Sequence, residues 1–166
     1  MKELEFDVEL TTSDLYRFSM RHSYLSISGL FGLLISIGSL IYVAVSFSTL
    51  DKTACMALVI IGCLFTVVQP VMLYFKASNQ VRLNKNINAS LHYVISQEGI
   101  VVSQGDQEGA VKWEEVQKRI ITSRALYLYM SPIRAFIFPK GQCGEKYSQI
   151  CEMVESQMQK QENNEE

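Results

Sequence analysis

Residues 23–50 read SYLSISGLFGLLISIGSLIYVAVSFSTL and residues 53–75 read TACMALVIIGCLFTVVQPVMLYF, with Asp51 and Lys52 alone between them. Neither run holds a charged residue. A helix that crosses the hydrocarbon core of a bilayer needs about 20 apolar residues, and the second run as a helix is roughly 34 Å long. Its eleven Leu, Ile, Val and Phe residues together favour insertion by roughly 3 to 6 kcal/mol. The first run holds fourteen such residues, partly offset by serines. The rival reading is a pair of buried helices in a soluble core. A core helix of that length ordinarily keeps one charged or amide face, and the rest of the chain is too short to wrap two that lack one. The runs therefore read as a transmembrane hairpin, 23–50 and 53–75.

The flanks set the expected topology. The stretch ahead of the first run is acidic and patterned, and the run is well beyond the 7–15 apolar residues, roughly, of a signal peptide, so no cleavage is expected. Arg17 and Arg21 precede the first run; Lys76, Arg82 and Lys85 follow the second, with no acid until Glu98. The connecting loop carries one Lys. Basic residues stay on the cytoplasmic side, so both termini are expected there. Cys55, Cys63, Cys143 and Cys151 have no metal-ligand spacing and read as small apolar residues in a reducing compartment.

Outside the hairpin the period changes. In residues 3–10, Leu4, Phe6, Val8 and Leu10 alternate with Glu3, Glu5, Asp7 and Glu9. A period of two marks a strand with one buried face. Thr11-Thr12-Ser13-Asp14 offers N-caps for a short helix that leads into the membrane, completing an N-terminal segment 1–22. Residues 76–89 are polar and read as a brief helical extension and a juxtamembrane linker. Strands are expected near 90–96, 99–104, 108–113, 117–123, 125–130 and 133–138, punctuated by Gly99, Gly105-Asp106 and Ser131-Pro132. Tyr147, Ile150, Cys151, Val154 and Met158 share one face of a helix over about 145–160, and 161–166 read as a disordered acidic tail. A lone strand is not stable in water, so the strand at 3–10 is expected to pack on the C-terminal domain, 90–160. Six strands plus that one, closed by a helix, suggest a pleckstrin-homology-like (PH-like) antiparallel β-domain. The expected class is an α+β membrane protein.

The order of these features resembles the YcxB-like membrane proteins of Gram-positive bacteria. The stretches that carry the resemblance are Tyr93-Val-Ile-Ser-Gln-Glu-Gly-Ile100, Val111-Lys-Trp-Glu-Glu-Val116, Leu126-Tyr-Leu-Tyr129 and Ala135-Phe-Ile-Phe-Pro-Lys140. With the hairpin they cover most of the chain. The chain departs after Pro139-Lys140, where Gly141-Gln142-Cys143 stands in place of an expected apolar residue. The resemblance implies this architecture and a bacterial plasma membrane, and it names no chemistry.

No catalytic, cofactor or metal constellation is legible. His22 and His92 have no nucleophile arranged around them by a known motif. Glu114 and Glu115, adjacent in sequence, point apart. Trp113 reads as a core anchor of the domain rather than a ligand wall. Gly29, Gly32, Ser36 and Ser39 in the first helix and Gly62, Thr66 and Gln69 in the second form small and polar stripes. Such stripes let membrane helices approach closely; they either pack the hairpin or face a partner. Pro70 removes the backbone bond to Thr66 and should kink or loosen that turn. Lys76, Arg82 and Lys85 are candidate lipid-headgroup contacts. Residues 88–166 hold eight Lys or Arg against eleven Asp or Glu, a balance that argues against nucleic-acid binding. The expected function is a membrane-anchored, non-enzymatic module. It would hold a protein segment or a lipid headgroup at the inner leaflet. The alternative is an accessory subunit of a transporter or membrane sensor that contacts partner helices. Membrane lipids are the expected partners, with another membrane protein as the second; the oligomeric state is not legible.

Overall fold

A computed structural model describes residues 3–83, 90–132 and 134–164. The chain is α+β and folds as two compact units, one formed by residues 1–11 with 84–166 and the other by Thr12–Leu83.

Among the described residues the first unit holds seven strands. Strands β1 (Leu4–Val8), β2 (Leu91–Ile95), β3 (Gly99–Gln104) and β4 (Gln107–Lys112) form an antiparallel sheet in that order. Strands β5 (Lys118–Ile121), β6 (Ala125–Ser131) and β7 (Arg134–Pro139) form a second. The strand nearest the N-terminus thus pairs with one more than 80 residues away, with Leu4 opposite Ile95, Phe6 opposite Tyr93 and Val8 opposite Leu91. The two-residue period explains the choice: Leu4, Phe6 and Val8 enter the core while Glu5 and Asp7 stay outside. Phe6 stacks on Tyr93 at 5.7 Å and meets the edge of Phe138 at 5.3 Å. A glycine in a left-handed conformation, Gly105, makes the β3–β4 turn, and a second, Gly144, separates two helices. These are α5 (Lys140–Cys143) and α6 (Lys146–Asn164). Tyr147, Ile150, Val154 and Met158, three and four residues apart, turn into the core. The final helix runs four residues past 160, so 161–164 are helical where a disordered tail was expected.

The departure at Gly141-Gln142-Cys143 has a structural role. It forms most of α5, which buries Cys143 and sets Gln142 against the outer edge of β1. The Gln142 amide accepts from the Glu9 N–H at 2.6 Å and donates to the Glu9 carbonyl. Lys146 Nζ donates to the Glu5 carbonyl at 2.6 Å. Side chains thus cover the edge that β1 does not share with β2.

The second unit holds the two apolar runs as helices long and apolar enough to cross a membrane. Helix α1 (Thr12–Tyr24) leads to α2 (Ile27–Ser46). The expected single helix 23–50 is shorter at both ends. Ser26 caps α2 by accepting from the Gly29 N–H, which breaks the chain from α1, and α2 ends at Ser46 in a turn. Asp51 caps the next helix through the Thr53 and Ala54 N–H groups. That helix runs from Lys52 to Leu83 as α3 (Lys52–Cys63), a π turn over Leu64–Val68 and α4 (Gln69–Leu83). Residues 76–83 are therefore helix, and the rest of the expected linker, 84–89, lies outside the described residues. Many of the apolar side chains point outward, Val45 and Ile27 about four-fifths exposed.

Candidate functional site

Two adjoining clefts flank α6 in the first unit, of about 380 and 260 Å³. They share Gln97, Gln157 and Lys160 and so form one groove. Its position follows from local folding. Trp113–Glu115 make a single 3-10 turn after β4, and the Glu115 carboxylate holds its start by accepting from the Lys112 N–H at 3.1 Å. Glu114, facing elsewhere, lines the larger cleft. Trp113 is a core residue, 7% exposed; its indole N–H donates to the Ser96 carbonyl at 3.0 Å, tying the turn to the end of β2. One side of Trp113 also borders the larger cleft. From α6, Gln161 reaches the Glu114 carbonyl at 3.5 Å, yet its Oε1 is buried with no partner among the described residues. A buried acceptor left open is costly.

The groove is rich in amides and nearly neutral. Lys112 and Lys160 face Glu98 and Glu114 in the larger cleft; Glu152 joins in the smaller, above Leu4 and Met153. Amide side chains both donate and accept, as a peptide backbone does. None of Gln97, Gln149, Gln157 and Gln161 stands out in the sequence. They come from a β-turn and one helix, and only the fold joins them.

The sequence candidates fall elsewhere. Lys76 and Arg82 are exposed on α4, roughly 9 Å apart along its axis and about 120° apart around it; Lys85 lies outside the described residues. Arg21 on α1 keeps its Nε buried without a partner among the described residues. The basic residues of the β-domain form no single cluster: Lys112 and Lys160 line the groove. Arg124 and Lys140 sit at one end of the second sheet, where the Lys140 N–H bonds the Arg124 carbonyl, and Lys118 and Arg134 at the other.

Within the second unit, Gly32 lies against the Phe65 ring, where a Cβ would come within 2.3 Å, and Gly62 lies against Leu40 and Ser39 of α2. Ser36 Oγ donates across to the Ile61 carbonyl at 3.0 Å. Ser39 and Thr66 bond carbonyls of their own helices, Ser36 and Gly62. Gly29 instead meets the Ser23 carbonyl at the α1–α2 corner. The Gln69 side chain bonds none of the described residues; Ser36 and Ser39 of α2 bond the Ile61 carbonyl and their own helix instead.

Two further groups carry chemistry. Burial, helped by the neighbouring Cys151, pushes the Cys143 thiol up to about 12; burial also raises Cys151. Both are protonated at neutral pH, hence weak nucleophiles. On the outer face of the first sheet, His92 Nδ1 lies 2.8 Å from Asp7 Oδ1, and Ser103 is the cross-strand partner of His92. This Asp–His–Ser row was hidden in the sequence because its members come from three strands. It stands on an open sheet face, away from both clefts.

Residues 95–150, from the end of β2 into α6, match the family model described as YcxB-like protein. No curated protein matches the chain.

Proposed function

Because residues 95–150 form a YcxB-like domain, we propose that the chain is a two-span membrane protein whose β-domain is a non-enzymatic module that holds a protein segment at the inner face of a bacterial plasma membrane. The groove beside α6 carries this reading. Its balanced charges offer no field for an anionic headgroup, while its amides suit an extended peptide. The four-plus-three strand arrangement with a closing helix supports a PH-like fold. The outward apolar side chains of α2 and of the helix from Lys52 to Leu83 support membrane spans, and Lys76, Arg82 and Arg21 would stand among lipid headgroups.

A photo-crosslinking residue placed at Gln157 in native membranes is expected to capture a protein, and one placed at Arg124 is not. Capture from neither, together with binding of the domain to anionic vesicles, would replace the peptide by a lipid headgroup. A stoichiometric adduct formed from Ile35, exposed on α2, would favour the accessory-subunit reading.

Topology has its own test. With the four native cysteines replaced by alanine, a cysteine at Asp51 is expected to react with an impermeant thiol reagent in intact cells. One at Asn163 is expected to react only after permeabilisation. The opposite pattern overturns the orientation.

A further inference from the structure

One backbone carbonyl in the second long helix loses its ordinary donor twice. In an α-helix the Phe65 carbonyl accepts from the N–H of Gln69, four residues on. Here the Gln69 N–H donates to Leu64, five residues back, which widens Leu64–Val68 into a π turn. In that register the Phe65 carbonyl falls to residue 70. Residue 70 is proline and has no N–H. The carbonyl accepts from the hydroxyl of Tyr24 instead, the last residue of α1.

We propose that Tyr24 is a conformational latch: its hydroxyl takes the place of the N–H that Pro70 lacks and pins the π turn to α1. The surrounding packing fits that role. The Phe65 ring is held on its far side against Gly32 of α2. Tyr16 meets Tyr74 edge-on at 5.8 Å, so α1 runs antiparallel along α4. An apolar environment makes an unpaired carbonyl costly, which holds the latch shut. Without it neither register is fully bonded: the π register leaves the Phe65 carbonyl without a donor, and the α register leaves the Thr66 carbonyl facing Pro70. The latch rests on the packing of these helices alone and is independent of what the groove holds.

Phe65-Thr66 is the one Phe-Thr pair in the chain. Full-length protein in nanodiscs, labelled with carbonyl-¹³C Phe and ¹⁵N Thr, therefore gives a single correlated NMR signal that reports the Phe65 carbonyl. Tyr24→Phe is expected to move that carbonyl upfield and to speed amide exchange over residues 67–69 about tenfold, the worth of one hydrogen bond. In a Pro70→Ala background residue 70 regains its N–H, and either register gives Phe65 a backbone donor. There Tyr24→Phe is expected to change exchange by less than about twofold. An unmoved carbonyl, or equal acceleration in both backgrounds, overturns the proposal. Should Tyr24→Phe fail to fold, Pro70→Ala alone decides: slower exchange than wild type is expected, and faster exchange overturns it.

Discussion

Phe6→Asp is expected to destabilise the β-domain by about 4 kcal/mol or more, although residue 6 lies over 80 residues from the rest of that domain in sequence. Removing a buried Phe side chain costs about 3–5 kcal/mol through lost contact and cavity, here the packing on Tyr93 and Phe138. An aspartate at that depth must also either shed its charge or draw water into the core. Glu5→Gln, on the outer face of the same strand, is expected to stay within about 0.5 kcal/mol. Chemical denaturation followed by Trp113 fluorescence reads both. The same pairing predicts that a fragment 84–166 folds cooperatively only with residues 1–11 joined to it. A fragment that unfolds cooperatively alone, and gains nothing from the added strand, would falsify the split domain.

The second large effect is expected at the α1–α2 corner. A Cβ on Gly29 would lie 1.7 Å from the Ser23 carbonyl oxygen and 2.8 Å from its carbon. Neither atom can move aside, because both belong to the backbone. The corner is further tied by Ser26, whose hydroxyl donates to that carbonyl at 2.7 Å and accepts from the Gly29 N–H at 3.1 Å. Gly29→Ala must undo this arrangement, at about 3 kcal/mol or more. Gly38, on the same helix, has open space where its Cβ would be, and Gly38→Ala is expected to be neutral or to gain about 0.5–1 kcal/mol. Thermal unfolding in detergent ranks the two; equal midpoints would mean that the corner does not form.

These two sites differ in how far the sequence announces them. The alternation of Leu4, Phe6 and Val8 with Glu5 and Asp7 is a local signal, and so are the charge-free runs and the turn residues that bound the strands of the β-domain. The Gly29 corner is not. In the stretch Ser23-Tyr-Leu-Ser-Ile-Ser-Gly29, several serines are equally plausible caps, and only the bonds of Ser26 select one. Residues 76–83 look like linker because they are polar, yet the helix begun at Asp51 carries through them. Pro70 announces a disturbance, but its form depends on Tyr24, 46 positions away and on another helix. The groove was least legible. Its glutamines are ordinary surface residues until β2, the 3-10 turn and α6 meet, and contacts of that range leave no periodic trace in a sequence.

The pairing of β1 with β2 also fixes a timetable. At about 5–20 residues per second, roughly 4 to 17 s separate the synthesis of Val8 from that of Ile95, the end of its partner strand β2. Throughout that interval the whole of the second unit must emerge while β1 has no sheet to join. A nascent strand with three large apolar side chains on one face is prone to pair with the wrong neighbour. Glu3, Glu5, Asp7 and Glu9 give the other face four negative charges, which repel a second copy of the same strand on a crowded polysome. In the finished fold one of these carboxylates, Asp7, meets His92 of β2; on the nascent chain the whole row is expected to keep the first strand single until that partner has been made.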